Sequence, residues 1–171
     1  MKFYIPKMYQ KNIFSINYDY LKEKGIKYLI FDLDNTLGLI DEEICNEKTK
    51  DFINKLSIDF KIIIASNNNF KRVNTFAKDL NTSIISFALK PSGKVYRHMK
   101  KQYTKNMNEV CIIGDQITTD IITGNRFGIY TILVDPLGKK DLKITSFNRY
   151  LEEKFMKKIN LKRGEYYCEK N

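Results

Sequence analysis

The 171-residue chain is 43% hydrophobic and 29% charged, with a formal net charge of +10, which suits one globular core with an ordinary polar surface. No apolar run approaches the ~20 residues that cross a bilayer, and the N-terminus MKFYIPKMYQKN lacks an apolar core of signal-peptide length. Three scattered cysteines, Cys45, Cys111 and Cys168, argue against a disulfide framework or a zinc site and for a reducing, cytoplasmic setting.

The charge is unevenly placed. Residues 1–28 carry six lysines against two acids and residues 139–171 ten basic residues against five acids, whereas 29–138 is nearly balanced at +1. A near-neutral core with basic ends favours anionic partners, whether phospholipid, nucleic acid or a phosphorylated substrate.

In chain order, residues 2–20 mix aromatics, lysines and Pro6 without a clean period. Ile26–Leu33 reads as a buried strand, Glu47–Leu56 as a helix, Phe60–Ser66 as a second strand and Lys71–Leu80 as a helix with Val73, Phe76, Ala77 and Leu80 on one face. A short strand over Ser83–Phe87, a helix over Gly93–Tyr103, a strand over Glu109–Ile113, a helix over Thr118–Phe127 and a strand over Ile129–Val134 follow. Asn148–Lys162 has the pattern of a basic amphipathic helix, docked on the core or facing a membrane surface or acidic partner. Alternating strands and helices predict an α/β fold with a mostly parallel five-stranded sheet and helices on both faces. One domain spanning 1–171 is expected, with its core at about 26–138 and basic extensions at both ends.

Each strand end carries polar groups. YLIFDLDNTL places Asp32, Asp34, Asn35 and Thr36 after the first strand; the others are followed by Ser66-Asn67-Asn68-Asn69, by Lys90-Pro91, and by Gly114-Asp115 with Asp120 in GDQITTD. In a parallel sheet these ends share the edge where open α/β sheets bind ligands. Adjacent carboxylates repel unless a cation or proton compensates. Asp32 and Asp115 suit a hard cation such as Mg²⁺, and a carboxylate beside it can attack phosphorus. Lys90 and Ser66 can hold phosphoryl oxygens. Asp34, with a pKa raised above the usual ~4, can move protons to and from the ester oxygen and water.

The motifs FDLDNTL, IIIASNN, ALKPSG and GDQITTD resemble the four motifs of the haloacid dehalogenase (HAD) superfamily. Over nearly the full length, including PKMYQKNIFSINYDYLKEKGIKYLIFDLDNTL and GDQITTDIITGNRFGIYTILVDP, the chain resembles the YqeG family of HAD class IIIA phosphatases. That family is similar to mitochondrial phosphatidylglycerophosphate phosphatases, which make phosphatidylglycerol for cardiolipin. The resemblance implies a Rossmann-like fold and a Mg²⁺-dependent phosphomonoesterase. In it Asp32 is nucleophile and metal ligand, and Asp34 is acid/base, with its main-chain carbonyl on the metal. Ser66 and Lys90 hold the phosphoryl group, Asp115 completes the metal site and Asp120 supports it. Asn35, Thr36, Asn67, Arg72 and Arg126 are candidate substrate contacts, the two arginines for a second phosphate or acidic head group. The thirteen residues after Leu37 leave no room for a cap domain, so an open site is expected, with phosphatidylglycerophosphate as leading substrate and peripheral contact with an anionic membrane. Two other readings remain: a phosphatase of a soluble metabolite or nucleic-acid end, and an RNA-, ribosome- or protein-binding assembly factor that retains the fold.

Overall fold

A computed structural model describes residues 3–138 and 145–168. Residues 1–2 of the basic N-terminal extension and 139–144 and 169–171 of the basic C-terminal extension lie outside them.

The strands are β1 (Met8–Gln10), β2 (Tyr28–Phe31), β3 (Lys61–Ala65), β4 (Ser83–Ile85), β5 (Val110–Gly114), β6 (Tyr130–Val134) and β7 (Tyr167–Cys168). They form one seven-stranded sheet in the order β4-β3-β2-β5-β6-β1-β7, in which only the β1–β7 pairing is antiparallel. The expected five strands are its parallel core. Two more come from the ends, whose three- and two-residue strands are too short for a period-2 pattern to show.

The apolar runs of the central strands divide by parity, because side chains alternate faces. Leu29, Phe31, Ile62, Ile64, Cys111 and Ile113 enter one core cluster; Ile30, Ile63, Ala65, Val110 and Ile112 enter the other. On the first face lie α1 (Tyr18–Glu23), α2 (Glu47–Leu56) and α3 (Phe70–Ala77), which contribute Leu21, Ile53, Leu56, Val73 and Phe76. On the second lies α4 (Lys94–Gln102), through Val95 and Met99. A π-helical turn at Ile117–Ile121, α5 (Ile122–Arg126) and α6 (Thr145–Lys158) follow. Ile117, Ile121 and Met156 pack with Tyr9 and Leu133 in a third cluster.

Asparagine sets several element starts. Asn17, Asn46 and Asn69 accept backbone N–H bonds at the starts of α1, α2 and α3, the role for which a short acceptor side chain is preferred. Asn69 thereby starts α3 at Phe70 rather than Lys71. The helix expected over Thr118–Phe127 divides into the π-turn and α5, as both Asp120 N and Ile121 N donate to Gln116 O. The C-terminal helix begins earlier than expected and docks through Glu152 and Met156, with Tyr150 exposed; Phe155 stacks on Tyr4 at 5.1 Å. Among the described residues no helix is long and apolar enough to cross a membrane.

Gly124 packs α5 onto the sheet. A Cβ there would sit 2.3 Å from Thr131 Cγ2 and 2.6 Å from Ile112 Cγ2. Gly124→Ala is expected to destabilise the protein by about 1–3 kcal/mol, seen as a lower urea midpoint at unchanged slope; an unchanged midpoint refutes this packing account.

Candidate active site

Register brings the polar strand ends to one level. Phe31 pairs with both Ile64 and Ile113, so Asp32 stands level with Ala65 and Gly114, and Ser66 and Asp115 lie one residue farther on. Asp32 N still donates to Ile113 O at 2.9 Å, which fixes the first carboxylate to the rigid end of the ladder. Lys90 arrives from the loop after β4. Its backbone is clamped by Asn67: Lys90 N donates to Asn67 Oδ1 at 2.7 Å and Asn67 Nδ2 donates to Lys90 O at 3.1 Å.

The Lys90 ammonium lies 2.5 Å from Asp32 Oδ1 and 2.6 Å from Asp120 Oδ1. Carboxylate oxygens of Asp32, Asp115 and Asp120 all lie within 4.8 Å of one another, and all four residues are buried. Burial pushes the Asp32 carboxyl up to about 7; Lys90 opposes this and Asp120 reinforces it. Asp115 is raised well above the usual range by burial, then by the charges of Asp32, Asp120 and Glu152. Burial alone would lower Lys90, but Asp120 and Asp32 outweigh it and hold the ammonium charged. Three acids thus share one cation in a dry site, an excess of negative charge that protons or a second cation must offset. The donor set is all oxygen, as a hard divalent ion prefers, so these residues fit such an ion.

The remaining expected residues divide by location. Ser66 is buried, with its hydroxyl accepting from Asn68 N at 3.1 Å. Thr36 Oγ1 lies 3.5 Å from Asp115 Oδ1. Asn35 adopts φ 63°, a left-handed conformation that asparagine tolerates; its N–H donates to Gly38 O and its carbonyl accepts from Leu137 N. Asp34 stands apart from the three carboxylates. Its Oδ1 pairs with Arg72 Nη2 at 2.9 Å and its Oδ2 accepts from Asn68 Nδ2 at 2.8 Å. Arg72 also donates to Leu39 O and Glu42 O, so its guanidinium ties the loop after β2 to Asp34. Arg126 ends α5 and donates to Pro91 O at 3.2 Å.

Two residues escaped the sequence reading. Asn68 holds Asp34, and nothing separates it in sequence from its two asparagine neighbours. Glu152 is buried on α6, accepts from Ile117 N at 3.3 Å and lies 3.4 Å from Arg163 Nη2. An acid four residues before Met156, on the docking face of an amphipathic helix, was the available signal. A cleft of about 380 Å³ opens between Asp115, Pro136 and α6. A larger one, about 580 Å³, lies at the opposite edge against Ile5, Lys24, Ile26 and Asn108 and has no carboxylate in its lining; the chemistry belongs to the carboxylate edge.

Two outcomes follow from the charge excess. Because the folded-state pKa of Asp32 is raised from 3.8 to about 7, the folded state holds the extra proton, and stability is lost as pH rises through that window. In EDTA the thermal midpoint should fall as pH rises from about 4 to about 7, and divalent cation should restore it; a flat, cation-insensitive profile would contradict the site. At Gly114, a Cβ would lie 2.3 Å from Asp120 Oδ2. Gly114→Ala should therefore displace Asp120 and weaken divalent-ion affinity about tenfold or more, measured by calorimetry.

The match to known proteins extends beyond these motifs. The family model described as "Mitochondrial PGP phosphatase" matches residues 1–138. "Probable phosphatase YqeG" of Bacillus subtilis is 36% identical over 162 residues, covering 94% of each chain. "Phosphatidylglycerophosphate phosphatase 1, chloroplastic/mitochondrial" of Arabidopsis thaliana is 28% identical over 151 residues, covering 82% of this chain but only 43% of the plant protein. Among solved structures, one described as a predicted HAD-like family hydrolase from Porphyromonas gingivalis superposes with a TM-score of 0.53 at 14% identity, over 74% of this chain and 98% of that one. The chain belongs to the mitochondrial PGP phosphatase family, and it is a phosphatase built on the HAD fold.

Proposed function

We propose that the protein hydrolyses a phosphomonoester in two steps through Asp32. The observation that carries this reading is the buried group of Asp32, Asp115 and Asp120 around the Lys90 ammonium. A carboxylate oxygen of Asp32 attacks phosphorus and the ester P–O bond breaks, leaving an aspartyl-phosphate. Asp34, held by Arg72 and Asn68, gives a proton to the departing alkoxide. It then takes a proton from the water that attacks the phosphoenzyme, releasing inorganic phosphate and restoring Asp32. Lys90 and Ser66 meet the phosphoryl oxygens as charge develops on them. Asn35, Thr36 and Asn67 shape the surrounding loops.

Asp32 and Asp115, with the main-chain carbonyl of Asp34 and support from Asp120, form the set that would hold Mg²⁺, which supplies charge neutralisation at the phosphoryl group. Arg72 acts on the reaction through Asp34, which it positions.

The leading substrate is phosphatidylglycerophosphate. The family description and the plant relative's name support this. So does the short connection from β2 to α2, which leaves the site without a covering domain and open to a bulky ester. Soluble and nucleic-acid phosphates are the competing substrates.

Asp32→Asn is expected to reduce phosphate release to background in the presence of Mg²⁺, while folding is retained; wild-type turnover by that variant would overturn the mechanism. Phosphatidylglycerophosphate in vesicles should be hydrolysed in preference to soluble esters. Turnover confined to a soluble ester or a nucleic-acid end would move the substrate assignment. Salt-sensitive RNA binding without any turnover would favour the assembly-factor reading.

A further inference from the structure

The loops beside Ser66 and Lys90 present large apolar side chains to solvent. Phe70 is 58% exposed, Phe87 51% and Leu89 60%. The two loops are tied to each other: Phe87 N donates to Asn68 O at 2.8 Å, Ala88 N to Ser66 O at 2.9 Å and Lys90 N to Asn67 Oδ1 at 2.7 Å. Lys94 Nζ donates to Ser86 O and Phe87 O and braces the second loop from behind.

Two of these residues occupy an unfavourable backbone region. Phe87 has φ 46° and Leu89 φ 52°, a left-handed conformation uncommon for bulky residues and readily adopted by glycine or asparagine. Ala88 between them is fully buried, so the chain turns inward for the small residue and outward for the large ones. Exposed apolar side chains held in a strained backbone gain nothing from the core of this protein, and such strain clusters where function demands it.

Charge identifies what they meet. Between Ser66 and Gln102 the chain carries eight lysines and arginines against a single acid, Asp79. Lys90 is buried in the site, but Lys71 and Arg97 are exposed in the first turns of α3 and α4, whereas Lys78, Lys100 and Lys101 stand at the far ends of those helices. Lys71 adjoins Phe70, and Arg126 reaches the same rim through its bond to Pro91 O at 3.2 Å. The loop after β2, which Arg72 ties to the start of α3 through Leu39 O and Glu42 O, borders this rim with Leu39 and Ile44 and with the acids Asp41, Glu42 and Glu43.

We propose that Phe70, Phe87 and Leu89 form a wedge that enters the headgroup region of an anionic lipid bilayer, with Lys71, Arg97 and Arg126 on the lipid phosphates. An apolar set flanked by exposed cations is the combination that binds an anionic interface. The wedge sits on the β3–β4 side of the site, while the strands of the chain's ends, β1 and β7, lie at the far edge of the sheet. It thus relocates the membrane contact expected of the basic ends to the mouth of the active site. It rests on the reading of the substrate as a lipid phosphate, and its binding test is independent of turnover.

The test uses the full chain carrying Asp32→Asn, so that binding is read apart from turnover. Its sedimentation with phosphatidylcholine vesicles is compared with that on vesicles also containing phosphatidylglycerol, at low and high salt. Binding to the anionic vesicles that weakens with salt is expected, together with a loss of about tenfold or more on adding Phe70→Ser, Phe87→Asn and Leu89→Asn. Asparagine suits the backbone at the last two positions. With Asp32 intact, the triple variant should keep its kcat/KM on p-nitrophenyl phosphate and lose it on vesicle-borne phosphatidylglycerophosphate. If the triple variant loses soluble turnover as well, Phe70→Ser alone, at the exposed start of α3, decides by the same comparison. Wild-type-like vesicle binding by the variants, equal binding to neutral vesicles, or a salt-stable dimer dispersed by these substitutions without vesicle binding would each overturn the wedge. Failure of the phosphatase reading shows separately, as absence of Asp32-dependent turnover on every ester.

Discussion

One ammonium shared by buried acids governs this structure. Lys90 bonds to Asp32 and Asp120 at once, and Asp115 lies within reach of both acids. A buried charge unmatched by its surroundings is costly, so the scaffold around these four side chains has little freedom. Asp32 is fixed by the sheet, Asp120 by the tight contact over Gly114, and Lys90 by the reciprocal Asn67 bonds to its backbone. The fold itself thus holds these four side chains together.

Asp34 has different bonded partners although only Leu33 separates it from Asp32, whose carboxyl its charge still helps to raise. Its partners are a guanidinium and an amide rather than carboxylates. The π-turn makes a parallel adjustment after β5: it changes the helical pitch at the point where Asp120 must face Lys90, a common use of such turns near functional sites. Short local devices of this kind separate the acids into distinct environments on one rigid edge.

The central strands and the DxDxT, lysine and GDxxxxD groups were legible because each rests on a local pattern: an apolar run ended by polar residues at one sheet edge. The helix limits were less legible because capping decides them, and the asparagines that cap α1, α2 and α3 are a residue type equally common in loops. The end strands escaped since two or three residues hold no periodic signal and their pairing spans most of the chain. The partners of Asp34 and the approach of Glu152 depend on tertiary contacts over 34 and more residues, which no local pattern encodes. Arg72 was visible as a functional candidate, but only its bonds to Asp34 and the β2 loop reveal a structural anchor.

The pairing of Met8 with Cys168 and of Tyr9 with Tyr167 has a consequence for association. Without β7, the three-residue β1 would border solvent with unpaired backbone groups next to the fully buried Tyr9. Such a margin is a template for adding strands from another chain. Among the described residues Tyr167 and Cys168 of β7 cover it, and β4 closes the opposite margin with three. The short β4 margin leaves little ladder for a neighbouring sheet to extend, and pairing with Tyr167 and Cys168 keeps β1 from offering its own.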